Sequence, residues 1–287
     1  MILWQLVLYT FAMSMLFSVL AMGFGFTLRS VKFFNISYGG AFLIGGYMMF
    51  FFYRILNISF IPAILVSLFI SGLYLLLSYE LIFSSLSRHK AKNLILVIAS
   101  FGLLIATSSI LGMVFGSQTT IIARHFSDIY TINVFGAVLN IVQVVVIIFI
   151  PILICFLAYV RYKTRFGRAV RAIEDDNEVA ELVGIPKEKI LLQIFFISGA
   201  LAGLAGIIEG LDVGIIPSSG LVYILPTIVA AIVGGMRSFW GGILGAFILA
   251  IAQQLTVFFF GGSWVQAVPF VILITMLFLR PQGILER

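Results

Sequence analysis

Long apolar runs separated by short polar breaks dominate this chain, and the runs set its architecture. They fall at about 2–28, 33–53, 58–86, 94–115, 133–160, 190–211, 221–236, 240–260 and 264–279. A helix needs roughly 17–25 residues to cross the hydrocarbon of a bilayer. A backbone in lipid must also satisfy its own hydrogen bonds, which selects helix over open sheet. The pattern therefore predicts an all-α polytopic membrane protein with 8–9 transmembrane helices. The third and fifth runs are long enough to tilt or to extend beyond the bilayer. The seventh and ninth are short and contain Pro226 and Pro269. Such segments belong inside a bundle, where neighbours satisfy the freed backbone groups, and a re-entrant path for either gives the count of eight. The first run has no basic residue before it, and its first positive charges, Arg29 and Lys32, follow it. It predicts an uncleaved span rather than a signal peptide.

The one long polar break, 161–189, has a pattern of its own. In Arg165 to Ile173, the residues Phe166, Ala169, Val170 and Ile173 share a helical face at i, i+3, i+4 and i+7. Asp175 and Glu178 have capping-box spacing for a second short helix running to Val183. Gly184 then stands where a left-handed cap residue belongs, and Pro186 prevents continuation. Two short amphipathic helices at the membrane surface follow. Such helices can lie on lipid headgroups, but six acids (Glu174, Asp175, Asp176, Glu178, Glu181 and Glu188) nearly balance the seven bases of the loop. Anionic lipid would repel them, so a mixed-charge surface favours docking to a protein.

Composition agrees with lipid as the solvent. The 287 residues are 62% hydrophobic and 10% charged, against about 45–50% and about 25% for soluble domains. The formal charge of +6 raises nucleic acid as a partner, but the distribution of Lys and Arg assigns it to loops. With 161–189 cytoplasmic, the inside holds fifteen basic residues: Arg29, Lys32, Arg88, Lys90, Lys92, seven in the loop, Arg237, Arg280 and Arg287. Only Arg54 and Arg124 fall outside. That asymmetry places the N-terminus outside and the C-terminus in the cytoplasm, and it predicts a multi-pass protein of the cell (inner) membrane. Residues 1–287 read as a single transmembrane domain with a cytoplasmic loop at 161–189. The lone Cys155 supports neither a disulfide framework nor a metal cluster.

The stretch "RFGRAVRAIEDDNEVAELVGI" resembles the cytoplasmic coupling segment of permease subunits in high-affinity branched-chain amino acid ABC importers. The residues that carry the likeness are Phe166, Gly167, Arg168, Ala169, Arg171, Ala172, Ala180, Leu182, Gly184 and Ile185. "FISGALAGLAGIIEG" (196–210), "PSSGLVYILPTIVAAIVGGMRSFWGGILGA" (217–246) and "FLRPQGILER" (278–287) resemble family segments in the same order. The resemblance implies an ABC importer permease bundle that undergoes alternating access. Its partners would be two cytoplasmic ABC ATPase subunits gripping 164–185, a second permease subunit (homologous or identical) and an extracytoplasmic substrate-binding protein. The substrate class it implies is branched-chain or other hydrophobic amino acids. Urea, short amides or a sugar, or an ATP-independent facilitator, stand as alternatives.

Two further patterns remain. Gly199, Gly203, Gly206 and Gly210 recur at i, i+4, i+7 and i+11, and Gly241 and Gly245 repeat the spacing. Such a stripe permits close helix packing or forms a smooth wall of a pathway. Asn35, Ser37 and Tyr38, followed by Gly39, open an otherwise apolar run. They either line the substrate pathway or cap a helix at the interface. The family segment reads N-F-A-H-G-E there, so Asn35 and Gly39 match, whereas Tyr38 and Gly40 replace His and Glu; Pro226 stands where Lys is common. Glu209 and Asp212 lie near the outer end of the sixth run, either solvated or at an entrance. No catalytic residues emerge: His89 and His125 fall on opposite sides, and neither metal-ligand spacing nor a P-loop appears. The reading is a transport subunit with no cofactor on this chain and no nucleic acid.

Overall fold

The computed structural model describes residues 2–122, 131–134, 137–236, 238–280 and 283–285. Arg124, His125, Arg237 and Arg287 lie outside the described residues. Helix dominates. In chain order come α1 (Ile2–Val31), α2 (Tyr38–Met49), α3 (Phe60–Ser78), α4 (Ser84–Arg88) and α5 (Asn93–Phe115). A short antiparallel hairpin, β1 (Thr131–Val134) with β2 (Ala137–Asn140), precedes α6 (Ile141–Lys163). Then follow α7 (Arg165–Asp175), α8 (Asn177–Leu182), α9 (Lys187–Asp212), α10 (Ser219–Gly234), α11 (Phe239–Phe260) and α12 (Val268–Leu279). The Phe50–Ile55 segment extends α2 as a π-helical turn, and Tyr79–Phe83 joins α3 to α4 in the same way.

Among the described residues, six helices are long and apolar enough to cross a membrane: α1, the joined 60–88 helix, α5, α6, α9 and α11. The structure supports an all-α polytopic membrane protein at this coarser level. Two boundaries differ from the sequence expectation. The fifth apolar run does not begin its helix at 133. Residues 137–140 belong to the hairpin, and the Asn140 and Gln143 side chains form a capping box that starts α6. Pro269 does not interrupt the last helix either. It sits in the first turn of α12, where a missing N–H would have been unsatisfied anyway.

The centre of the bundle is α9, which packs against α2, α3 and α1. Its glycines explain how closely. A Cβ at Gly199 would lie 3.0 Å from Gly72 Cα, and one at Gly203 would lie 2.5 Å from Ser71 Oγ and 3.4 Å from Gly45 Cα. A Cβ at Gly206 would run into the Phe42 carbonyl, and one at Gly210 would reach within 2.5 Å of Ile122. All four glycines face neighbouring protein, so here the stripe packs helices rather than walling an open path. Gly241 and Gly245 meet Gly234 and Ala230 of α10 in the same manner. Ser71 Oγ lies across this seam 2.7 Å from the carbonyl oxygens of both Ala41 and Gly199, which share its single hydroxyl proton. Its polar cost in an apolar bundle is thereby removed while three helices are tied.

The polar contacts sort the loops into two ends. At one end, Asn93 Nδ2 donates to Lys32 O at 3.3 Å, Asn177 Nδ2 donates to Ser30 O at 3.1 Å, and Arg88 pairs with Glu188 at 2.8 Å. At the other, Thr120 bridges Ile215, and Asn140 and Gln143 donate to Asp212 at 3.2 and 3.3 Å. The basic loops at 29–32, 88–92 and 161–189 therefore share one end.

Candidate coupling site

At that basic end the 164–185 segment folds as two short helices. Thr164 starts α7, its hydroxyl accepting from the Gly167 N–H at 3.1 Å. Gly167 sits so close to the end of α6 that a Cβ there would collide with the Val160 and Arg161 carbonyls. Asp176, not Asp175, is the cap of α8: its carboxylate accepts from the N–H groups of Glu178 (2.8 Å) and Val179 (3.2 Å). These bonds, the Val179 one foremost, hold that carboxyl below its ordinary pKa. At the far end Gly184 has φ of +86°, its N–H bonds the Glu181 carbonyl, and the Ile185 N–H reaches back to Ala180. That pair of bonds is a Schellman motif.

The segment has two contrasting faces. Inward, Val170, Ile173 and Ala180 are buried with Leu191 and Ile194 of α9, and Phe166, Ala172 and Ile185 pack around them. Outward, Leu182 is 86% exposed, Val183 71% and Val179 54%, and Arg165 and Arg168 are exposed on α7. Of the residues singled out in the sequence, Gly167, Ala172 and Ala180 thus serve the inner seam, and Arg168 and Leu182 stand outward. Arg171 turns back on the bundle, donating to Arg161 O at 2.6 Å and lying over the Tyr162 ring at 5.4 Å.

Beneath this face lies a cluster that periodicity did not reveal. Glu174, its side chain 6% exposed, is held between Arg29 of α1 and Arg161 of α6, each 8% exposed. Arg161 binds both carboxylate oxygens, at 3.0 and 2.5 Å, and Arg29 Nε shares one of them at 3.0 Å. Arg161 also lies 5.4 Å from the Phe239 ring of α11. The available signal was an arginine in the last turn of each of two spans, Arg29 and Arg161.

The residues at the start of α2 are not brought to an open path. Asn35, Ser37 and Tyr38 are fully buried. Ser37 occupies the N-cap position without a capping bond; its hydroxyl donates instead to Asn35 Oδ1 at 2.6 Å. The Tyr38 hydroxyl fills the space over Gly23, and a Cβ at Gly39 would lie 2.6 Å from the Gly220 carbonyl. Open volume lies elsewhere. A cavity of about 360 Å³ separates α1, α10, α11 and α12, with Tyr9, Tyr223, Gln253, Gln254 and Gln266 as its polar lining. The adjacent glutamines in a long apolar run were its sequence signal. Glu209 is buried rather than solvated.

A family model described as the branched-chain amino acid transport system permease component matches residues 6–277. The chain belongs to this permease family. The high-affinity branched-chain amino acid transport system permease protein LivH of Escherichia coli is 26% identical over 282 residues, covering 94% of this chain and 91% of that protein. A probable branched-chain amino acid transport permease of Methanocaldococcus jannaschii is 28% identical, with shares of 94% and 89%. The fructose import permease protein FrcC of Rhizobium meliloti matches at 33% over 96 residues, or 33% of this chain and 27% of that one. Transport permeases are what this chain resembles over nearly its whole length, and membership of the family makes it a permease component of a transport system.

Proposed function

We propose that this chain, paired with a second permease subunit, forms the pathway through which an ABC importer takes up branched-chain or other hydrophobic amino acids. Two ATPase subunits dock on the 164–185 segment in the cytoplasm, and a binding protein delivers substrate on the opposite side. The spans number eight or nine, with the N-terminus outside and the C-terminus inside the cell (inner) membrane. The observation that carries this reading is the outward face of α7 and α8. Val179, Leu182 and Val183 are exposed within the 161–189 loop, whose seven bases and six acids nearly cancel, at the end that collects basic loops. Apolar side chains set among both charge signs fit a protein cleft better than anionic lipid. Full-length similarity to permeases named for branched-chain amino acids supports that substrate class.

A sugar is the second reading, favoured by the shorter match to a fructose import permease. Reconstitution in proteoliposomes with the cognate ATPases and binding protein separates the two. Uptake of labelled leucine that requires internal or external ATP on the ATPase side, and that fructose does not compete with, is expected. Leucine flux independent of the ATPases would make the chain a facilitator, and competition by fructose alone would favour the sugar.

A further inference from the structure

We propose that Glu174 is the joint through which movement of the docked segment reaches the membrane spans. This inference rests on the importer reading above. The segment has to pass a displacement from its outward face to the bundle, and its attachments show where. The inner core of Val170, Ile173 and Ala180 against Leu191 and Ile194 is apolar and permits sliding. The Glu174 carboxylate is directional: it binds Arg29 and Arg161 simultaneously, in a site where all three side chains are almost wholly buried. A bidentate guanidinium–carboxylate contact fixes both distance and angle, and removal from water strengthens it. Arg161 continues the connection to Phe239. One carboxylate on α7 is thus linked to α1, α6 and, through Arg161, α11. Both arginines lie in the last turn of their helices, so a tilt of α7 acts on helix ends, where leverage on a rigid span is greatest.

Each arginine retains a buried N–H without a partner among the described residues, at Arg29 Nη2 and Arg161 Nε. The two guanidiniums compete for one carboxylate, and a shift of α7 redistributes its bonds between α1 and α6 instead of breaking them outright. Such an arrangement has two discrete settings for a small displacement, which is the property a transmitting element requires.

The test uses the assembled complex in proteoliposomes and compares uptake per ATP hydrolysed. In Glu174→Gln the side chain keeps its shape and loses its charge. The ATPases should still co-purify and hydrolysis should stay within about twofold, while uptake falls at least tenfold. Glu174→Asp retains the charge and should recover part of the coupling that the glutamine loses. Should Glu174→Gln fail to accumulate, Arg29→Lys, which preserves charge without the fork, should lower the same ratio. Equal losses of hydrolysis and uptake would make Glu174 a structural or docking residue and overturn the joint, as would an unchanged ratio. Failure of the importer reading has a different signature, because the unaltered chain would then transport without ATPases or not bind them.

Discussion

Gly184 separates conformational from steric effects at a single residue. Its φ is +86°, and no heavy atom lies within 4 Å of where a Cβ would be. Any harm from a substitution must therefore come from the backbone. A left-handed conformation costs an L-residue about 1–2 kcal/mol, and a β-branched side chain tolerates it least. Gly184→Val should loosen the Schellman cap, displace Leu182 and Val183, and reduce ATPase co-purification several-fold without changing membrane insertion. Gly184→Asn should lose much less, since asparagine accepts this region. Equal behaviour of the two variants in the pull-down would refute the account. Asp176 gives a pH test of the same segment. Its pKa is depressed in the folded chain by the Val179 and Glu178 N–H groups. The cap is therefore fully present above the unfolded value and lost only as pH falls through the lower, folded one. Amide exchange of α8 should be indifferent to pH-driven uncapping from neutrality to about pH 5. At more acid pH, protection should fall in the native chain and not in Asp176→Asn, whose side-chain oxygen does not titrate.

At the scale of elements, glycine seams replace the hydrophobic drive that lipid cannot supply. A leucine at Gly203 would have to enter space held by Ser71 and the Gly45 backbone. Overpacking a well-filled core costs about 1–3 kcal/mol, and here the obstruction includes backbone, so Gly203→Leu should lower the melting temperature in detergent and impair assembly. At Gly102, where no atom lies within 4 Å of a Cβ position, leucine should leave the melting temperature nearly unchanged. That these glycines share one face was legible in the sequence from their spacing at i, i+4, i+7 and i+11, whereas the backbones that face meets come from the packing alone. The two surface helices were legible for the same reason, although their cap lies one residue later than capping-box spacing suggests. Competition among the adjacent carboxylates 174–176 decides that detail, and a pattern of like residues cannot rank them. Glu174 itself was hidden because its partner Arg29 is 145 residues away. Composition counted it with the surface acids, and only the packing of α7 on α1 and α6 turns it inward.

For the whole molecule, the sorting of loops into two ends makes orientation a single binary question. Arg29, Lys32, Arg88 and the 161–189 loop lie at one end, and Thr120, Asp212 and Ile215 at the other. Because the bundle ties them together, one orientation fixes all of these positions. The positive-inside rule assigns the basic end to the cytoplasm. Cysteine labelling in intact cells tests the assignment with three exposed positions, Ser117, Ser263 and Lys163. The native Cys155 is itself exposed on a lipid-level helix and is first replaced by Ser to remove background. Ser117→Cys and Ser263→Cys should react with an impermeant thiol reagent added outside, and Lys163→Cys should react only after the membrane is opened. None of the three side chains supplies a cap or an ion pair described above, so each variant should insert as the native chain does. The three sites also test one another. Inversion of the whole chain would exchange their labelling, leaving Lys163→Cys reactive and both serine variants silent. If Ser263→Cys alone were protected while Ser117→Cys reacted, the short helices α10 and α12 would not both cross, and the count of spans would fall to eight.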